Sequence, residues 1–115
     1  MRTMLTALLV FGLAVCAASG EEGTAEDVRQ GHQLAVLLCA NCHVAAPDQP
    51  FMPILHPPAP SFESIVQSKD FNVAALEKFI TTTHRGLDNP NGMPNPYLME
   101  YQVKQVIAFL LSLRK

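Results

Sequence analysis

The run Cys39-Ala40-Asn41-Cys42-His43 constrains this chain more than any other stretch. Two cysteines with two residues between them cannot close a loop long enough to restrain a domain, so a disulfide there would staple almost nothing. Yet the chain needs a staple. It has 115 residues, and its start has the layout of an export signal. Arg2 gives a positive first region, Leu5 to Val15 is apolar, and Ala17-Ala18-Ser19-Gly20 are small residues leading into Glu21-Glu22. Residues 1–20 are expected to be a signal peptide, and 21–115 a single domain in the periplasm. The apolar run is short for a span, which needs about 20 residues. The rival readings are an uncleaved anchor or lipidation at Cys16, whose preceding Val15 is bulky for a lipoprotein site. A secreted domain of this size has a thin core and commonly adds a disulfide, metal or other support. Here the support must be something that the cysteines hold.

The remaining sequence reads as helices joined by proline-rich loops. Thr24 suits an N-cap, with Asp27 three residues on. Val28, Leu34, Ala35 and Leu38 recur at helical spacing, which predicts a helix from Ala25 to about Cys42. Gly31 lies inside it at a cost of about 1 kcal/mol relative to alanine. Either that cost is tolerated, or another helix comes close there. Residues 45–60 hold most of the prolines and must be extended loop. Ser61 can cap a short helix through about Gln67, and Asn72 a second from Val73 to about Thr83. Arg85 to Pro96 is a loop of turn residues. Val103, Val106, Ile107 and Leu110 form the stripe of a last helix from about Met99 to Leu113. No strand pattern or internal repeat is present, so the fold class is all-α.

Cys-x-x-Cys-His is the attachment signature of c-type haem. Thiols at i and i+3 lie on nearly one face of a helical turn and can reach two vinyl groups along one porphyrin edge. His43 then presents an imidazole, a good iron ligand. For the opposite axial position the candidates are Met52, Met93, Met99, His56 and His84. Met93 is preferred: it sits in a loop between Gly92 and Pro94, 50 residues beyond His43, enough chain to pass around the haem. Met99 reads as gap-filling in a core, Met52 as packing at the haem edge, and His56 as a surface histidine. His84, near a helix C-terminus, is the reserve ligand. A zinc site would need four Cys or His ligands, and no second pair has that spacing. A dithiol oxidoreductase places its cysteines at a helix N-terminus after a strand; these close a helix instead.

The CANCH run, Ala59-Pro60-Ser61-Phe62, Gly92-Met93-Pro94 and the closing Val106-Ile107-Ala108-Phe109-Leu110 helix together resemble a class I monohaem c-type cytochrome, from about Asp27 to the C-terminus. The resemblance implies the cytochrome c fold, whose first and last helices cross with a small residue facing an aromatic, roles that Gly31 and Phe109 match. It also implies that a proline carbonyl holds the second nitrogen of His43, with Pro57, Pro58 and Pro60 all eligible. The implied site is Cys39 and Cys42 as thioether anchors of one covalent haem c, with His43 and Met93 on the iron. With both axial positions filled, the expected function is one-electron transfer in a periplasmic chain, without enzymatic activity. The alternatives are a haem subunit of a dehydrogenase or oxidase complex, or a haem-based sensor or enzyme with a labile sixth ligand. Redox proteins are the expected partners. Nucleic acid is excluded, because Lys69, Lys78, Arg85 and Lys104 are scattered and the net charge is only -2. That small charge favours no particular partner by steering.

Overall fold

The computed structural model describes residues 23–115, so the predicted signal peptide and Cys16 lie outside the described residues. Four α-helices follow in order: α1 (Ala25–Leu34), α2 (Phe62–Gln67), α3 (Val73–Ile80) and α4 (Glu100–Ser112). Among the described residues there is no strand, and the all-α expectation holds. A lone parallel bridge joins His43 to Ala59.

Each helix starts where a side chain can satisfy its first amides. Thr24 accepts from the Asp27 amide, and Asp27 returns the bond to the Thr24 amide at 2.9 Å. Ser61 and Asn72 accept from the amides of Ser64 and Ala75. α4 lacks such an oxygen at Met99. The Gln102 side chain reaches back instead and accepts from the Met99 amide at 2.9 Å.

Two predicted helix ends move. The first helix is regular only to Leu34. Residues Ala35–Cys39 then widen into a π-helical turn, closed by the Ala40 amide donating to the Ala35 carbonyl five residues back at 3.1 Å. Helical hydrogen bonding resumes at once, with the His43 amide on the Cys39 carbonyl at 2.9 Å. α3 stops at Ile80 rather than Thr83. The Thr81 and Thr82 hydroxyls donate to the carbonyls of Glu77 and Lys78, each at 2.8 Å, and offer the backbone an alternative to another helical turn.

α1 and α4 form the principal helix pair. A Cβ added to Gly31 would lie 1.9 Å from the Gln105 carbonyl oxygen and 2.9 Å from Phe109 Cβ. The close approach read into Gly31, and its pairing with Phe109, are both present. The core around the crossing is built from small residues, Ala35, Ala40, Ala45 and Ala46, with Phe62, Val66, Val106, Phe109 and Leu110. A second cluster, Ile80, Val103 and Ile107, joins α3 to α4. His32 packs edge-on against Phe109, ring centres 5.1 Å apart, and its Nε2 meets Asp48 at 2.7 Å, tying α1 to the loop after His43.

The atom facing Gly31 is backbone of the opposite helix, which cannot rotate away. Gly31→Val should therefore cost about 3 kcal/mol or more. Chemical denaturation of the intact protein measures this, and a change under about 1 kcal/mol would mean that the helices separate easily.

Candidate functional site

The turn that ends α1 carries Cys39, Cys42 and His43, and the returning chain fixes them from outside. The Ala59 amide donates to the Cys42 carbonyl at 2.8 Å, and the Phe62 amide to the Val44 carbonyl at 3.0 Å. Pro60 lies between those two bonds, just before the Ser61 cap of α2. Its carbonyl oxygen stands 2.6 Å from His43 Nδ1. A carbonyl only accepts, so the hydrogen is on Nδ1, and in the neutral imidazole Nε2 keeps the lone pair. Of the three eligible prolines, Pro60 makes the contact. Phe62 flanks the ring, with centres 5.4 Å apart.

His43 fronts a cavity of about 740 Å³, within the usual size of ligand and cofactor sites. Its wall is mainly apolar and includes Leu55, Pro60, Ile65, Phe71, Leu76 and Phe79. Polar groups, among them Asn72, Arg85 and Asn91, join it at few places. Cys42 and Met93 share this wall with His43. A smaller cavity of about 150 Å³ brings Cys39 together with Cys42, His43, Met93, Leu38, Pro94 and Pro96. All four residues expected to carry the chemistry are thus assembled at adjoining spaces.

The remaining candidates are elsewhere. Met52 is 74% exposed and Met99 62% exposed, and neither lines a cavity. Met99 does not fill a core gap. His56 is exposed. His84 lies flat on Phe79, ring centres 3.8 Å apart, with its Nε2 3.0 Å from the Phe79 carbonyl. That histidine finishes α3 and stays off the cavity wall.

Met93 is held through its backbone. The His84 amide donates to the Met93 carbonyl at 2.8 Å, and Arg85 Nε to the Gly92 carbonyl at 3.2 Å. Asn89 Nδ2 donates to the His84 carbonyl at 2.9 Å, and Asn95 Nδ2 to the Thr81 carbonyl at 3.1 Å. A Cβ on Gly92 would fall 1.9 Å from the His84 carbonyl oxygen, so only glycine fits beside it. The sequence marked these asparagines as turn formers. Their side-chain bonds across the loop were not legible, although asparagine's habit of bonding nearby backbone is the signal that points to them.

The thiol chemistry argues against a dithiol redox switch. Burial, aided by the neighbouring Cys42, pushes the Cys39 thiol up to about 11. A reactive dithiol needs the opposite shift. Among the described residues, no three His, Cys, Asp or Glu side chains gather as a metal cluster.

The cavity therefore fits a large, flat, mostly apolar group anchored at one edge by two thiols and met by an imidazole lone pair. A curated protein called cytochrome c-552, from Bradyrhizobium diazoefficiens, is 32% identical to this chain over 98 residues, which is 85% of this chain and 86% of that protein. No family profile matches the chain, and no solved structure does.

Removing the Asn89 side chain takes one support from the His84 carbonyl and leaves both cavities untouched. In Asn89→Ala, the His84 amide that holds the Met93 carbonyl should exchange with solvent about 5-fold faster, corresponding to ~1 kcal/mol. Amide exchange by NMR reads this directly; unchanged protection would show that the loop is held without Asn89.

Proposed function

The chain belongs to the c-type cytochromes, and from that footing we propose that it carries one haem c joined by thioethers to Cys39 and Cys42, with His43 and Met93 as axial ligands. In this reading the protein is a one-electron carrier of the periplasm and catalyses no reaction of its own. The observation that carries it is the 2.6 Å contact between His43 Nδ1 and the Pro60 carbonyl. That contact leaves Nε2 as an electron-pair donor at the cavity that Met93 also lines.

The bound haem would supply reversible exchange of one electron between Fe(III) and Fe(II). The protein's residues hold and tune it. Cys39 and Cys42 would fix one edge covalently, which lets a domain with an alanine-rich core retain so large a group. Pro60 sets the tautomer and plane of His43 and makes it a better donor. The thioether of Met93 favours the reduced metal. Leu76, Phe79, Ile65 and Phe71 line the cavity and would exclude water and disfavour the extra positive charge of the oxidised state. Asn72, Arg85 and Asn91 are suited to meet the carboxylates of the ring. If His43 and Met93 both bind the iron, no position would remain open for a substrate, which supports electron transfer over catalysis.

Export is expected from residues 1–20, which lie outside the described residues. Among the described residues no helix is long and apolar enough to cross a membrane. Membrane association would then need an uncleaved or lipidated N-terminus. The donor and acceptor are proposed to be other redox proteins.

The test is the optical spectrum of protein exported with its haem-attachment system, oxidised and reduced, with CO added to the reduced form. A low-spin c-type spectrum that ignores CO is expected. Absence of a haem band would sink the proposal, and a CO-shifted wild-type spectrum would favour a sensor or enzyme. Met93→Ala should bind CO when reduced and lower the reduction potential on the order of 0.1 V, a fraction of the ~0.8 V that axial ligands span. His43→Ala should lose the low-spin spectrum altogether.

A further inference from the structure

The His84 side chain is not needed as a ligand in the reading above, yet three parts of the site converge on this residue. Its amide donates to the Met93 carbonyl at 2.8 Å. Its carbonyl accepts from Asn89 Nδ2 at 2.9 Å. That carbonyl oxygen also lies 1.9 Å from where a Cβ on Gly92 would fall, so the residue before Met93 is packed directly on it. The His84 ring lies flat on Phe79, with centres 3.8 Å apart and planes inclined by only 14°. Phe79 lines the larger cavity together with Gly92 and Met93. The imidazole has little freedom to slide, because its Nε2 meets the Phe79 carbonyl at 3.0 Å. A carbonyl only accepts, so Nε2 carries the hydrogen there.

We propose that His84 is a positioning residue for the axial methionine: its ring, stacked on Phe79, ties the Met93 loop to the cavity wall and so keeps the thioether seated. The inference rests on the haem reading above and adds a residue to it. Backbone bonds fix Met93 relative to residue 84, but they do not fix residue 84 relative to the cavity. Between Ile80, where α3 ends, and His84 lie three threonines outside any regular helix. Rotation in that stretch would swing the loop away as a unit, with its internal bonds intact. Asn95 Nδ2 holds one point of the stretch, at the Thr81 carbonyl, 3.1 Å away. The stack holds a second, at the residue that bonds Met93, and two fixed points leave far less room for rotation than one. Phe79 is steadied as well. It is 45% exposed, so the core does not immobilise its ring, and His84 covers part of it. Paired aromatic rings hold each other more firmly than their buried area alone implies.

Imidazole added to the oxidised holoprotein is the probe, since it can take the iron only when Met93 has left. Its apparent affinity scales with the fraction of molecules whose loop is open. His84→Ala keeps every backbone bond and removes the stack. Imidazole should then bind about tenfold more tightly, and the sulfur-to-iron charge-transfer band of the oxidised form should weaken. His84→Phe restores a flat ring without the nitrogens and should stay within about threefold of wild type. Thr24→Ala removes the N-cap of α1 and lowers stability away from the site. It should leave imidazole affinity unchanged, which separates positioning from general destabilisation. In the wild type, proton–proton Overhauser contacts between the His84 and Phe79 rings should be seen by NMR, a check that needs no variant to fold.

Unchanged imidazole affinity in His84→Ala would overturn the proposal, as would a His84→Phe variant as loose as His84→Ala. The same gain in Thr24→Ala, or rings without mutual contacts in the wild type, would also overturn it. So would a wild type that lacks the sulfur-to-iron band while His84→Ala acquires it, because His84 itself would then be the ligand. Each of these results leaves a bound haem in place. A protein without a haem band would end both readings.

Discussion

The bond between His43 and Pro60 organises more of this molecule than its length suggests. To place one carbonyl 2.6 Å from Nδ1, the chain must leave the CANCH turn, travel through a proline-rich loop and return alongside residues 42–44. The backbone bonds from Ala59 and Phe62 hold that return. Ser61 then starts α2 at once, so the start of a helix and the support of His43 are adjacent residues. Prolines suit this task because they fix backbone angles and leave few alternatives for the loop. The loop's own polar demands are met locally, with Gln49 accepting from the amides of Ala45 and Ala46.

The second constraint is the crossing at Gly31. Backbone approaches backbone there, which places the end of α1 against the middle of α4 and fixes where the cysteine-bearing turn emerges. The alanines around the crossing follow from the same geometry, since larger side chains would push the two helices apart. This leaves modest apolar volume for cohesion. A bound, flat apolar group between α3 and the cysteine turn would supply what the alanines do not. Binding and folding are then coupled, as in other small domains that fold around a bound group.

Local chemistry was readable from the sequence, and long-range chemistry mostly was not. The caps at Thr24, Ser61 and Asn72 each concern residues three apart, and all formed. CANCH and Gly31 were readable because few side chains tolerate those positions. Met93 was preferred for its place in a loop between Gly92 and Pro94, and it does reach the cavity wall. The choice of Pro60 over Pro57 and Pro58 depended on a bond across 17 residues, which no local pattern specifies. The same holds for Asn95 reaching back to Thr81 and for the contact of His32 with Asp48. The shortened α3 could have been read from its three consecutive threonines, whose hydroxyls compete for helix carbonyls, had that competition outweighed the apolar stripe. The π-helical turn had no sequence signal. Ala35 and Ala40, which its closing bond joins, are both buried.

The loop that presents Met93 is tied at His84, Gly92 and Asn95 to the end of α3 and to itself. A segment anchored at so many carbonyls has little freedom to relax when the charge inside the cavity changes by one unit. Its dipoles stay where folding put them. For a molecule that gains and loses an electron, such stiffness keeps the geometries of the two oxidation states nearly alike, so little atomic rearrangement must precede each transfer. Speed in that sense would come from a framework that does not respond.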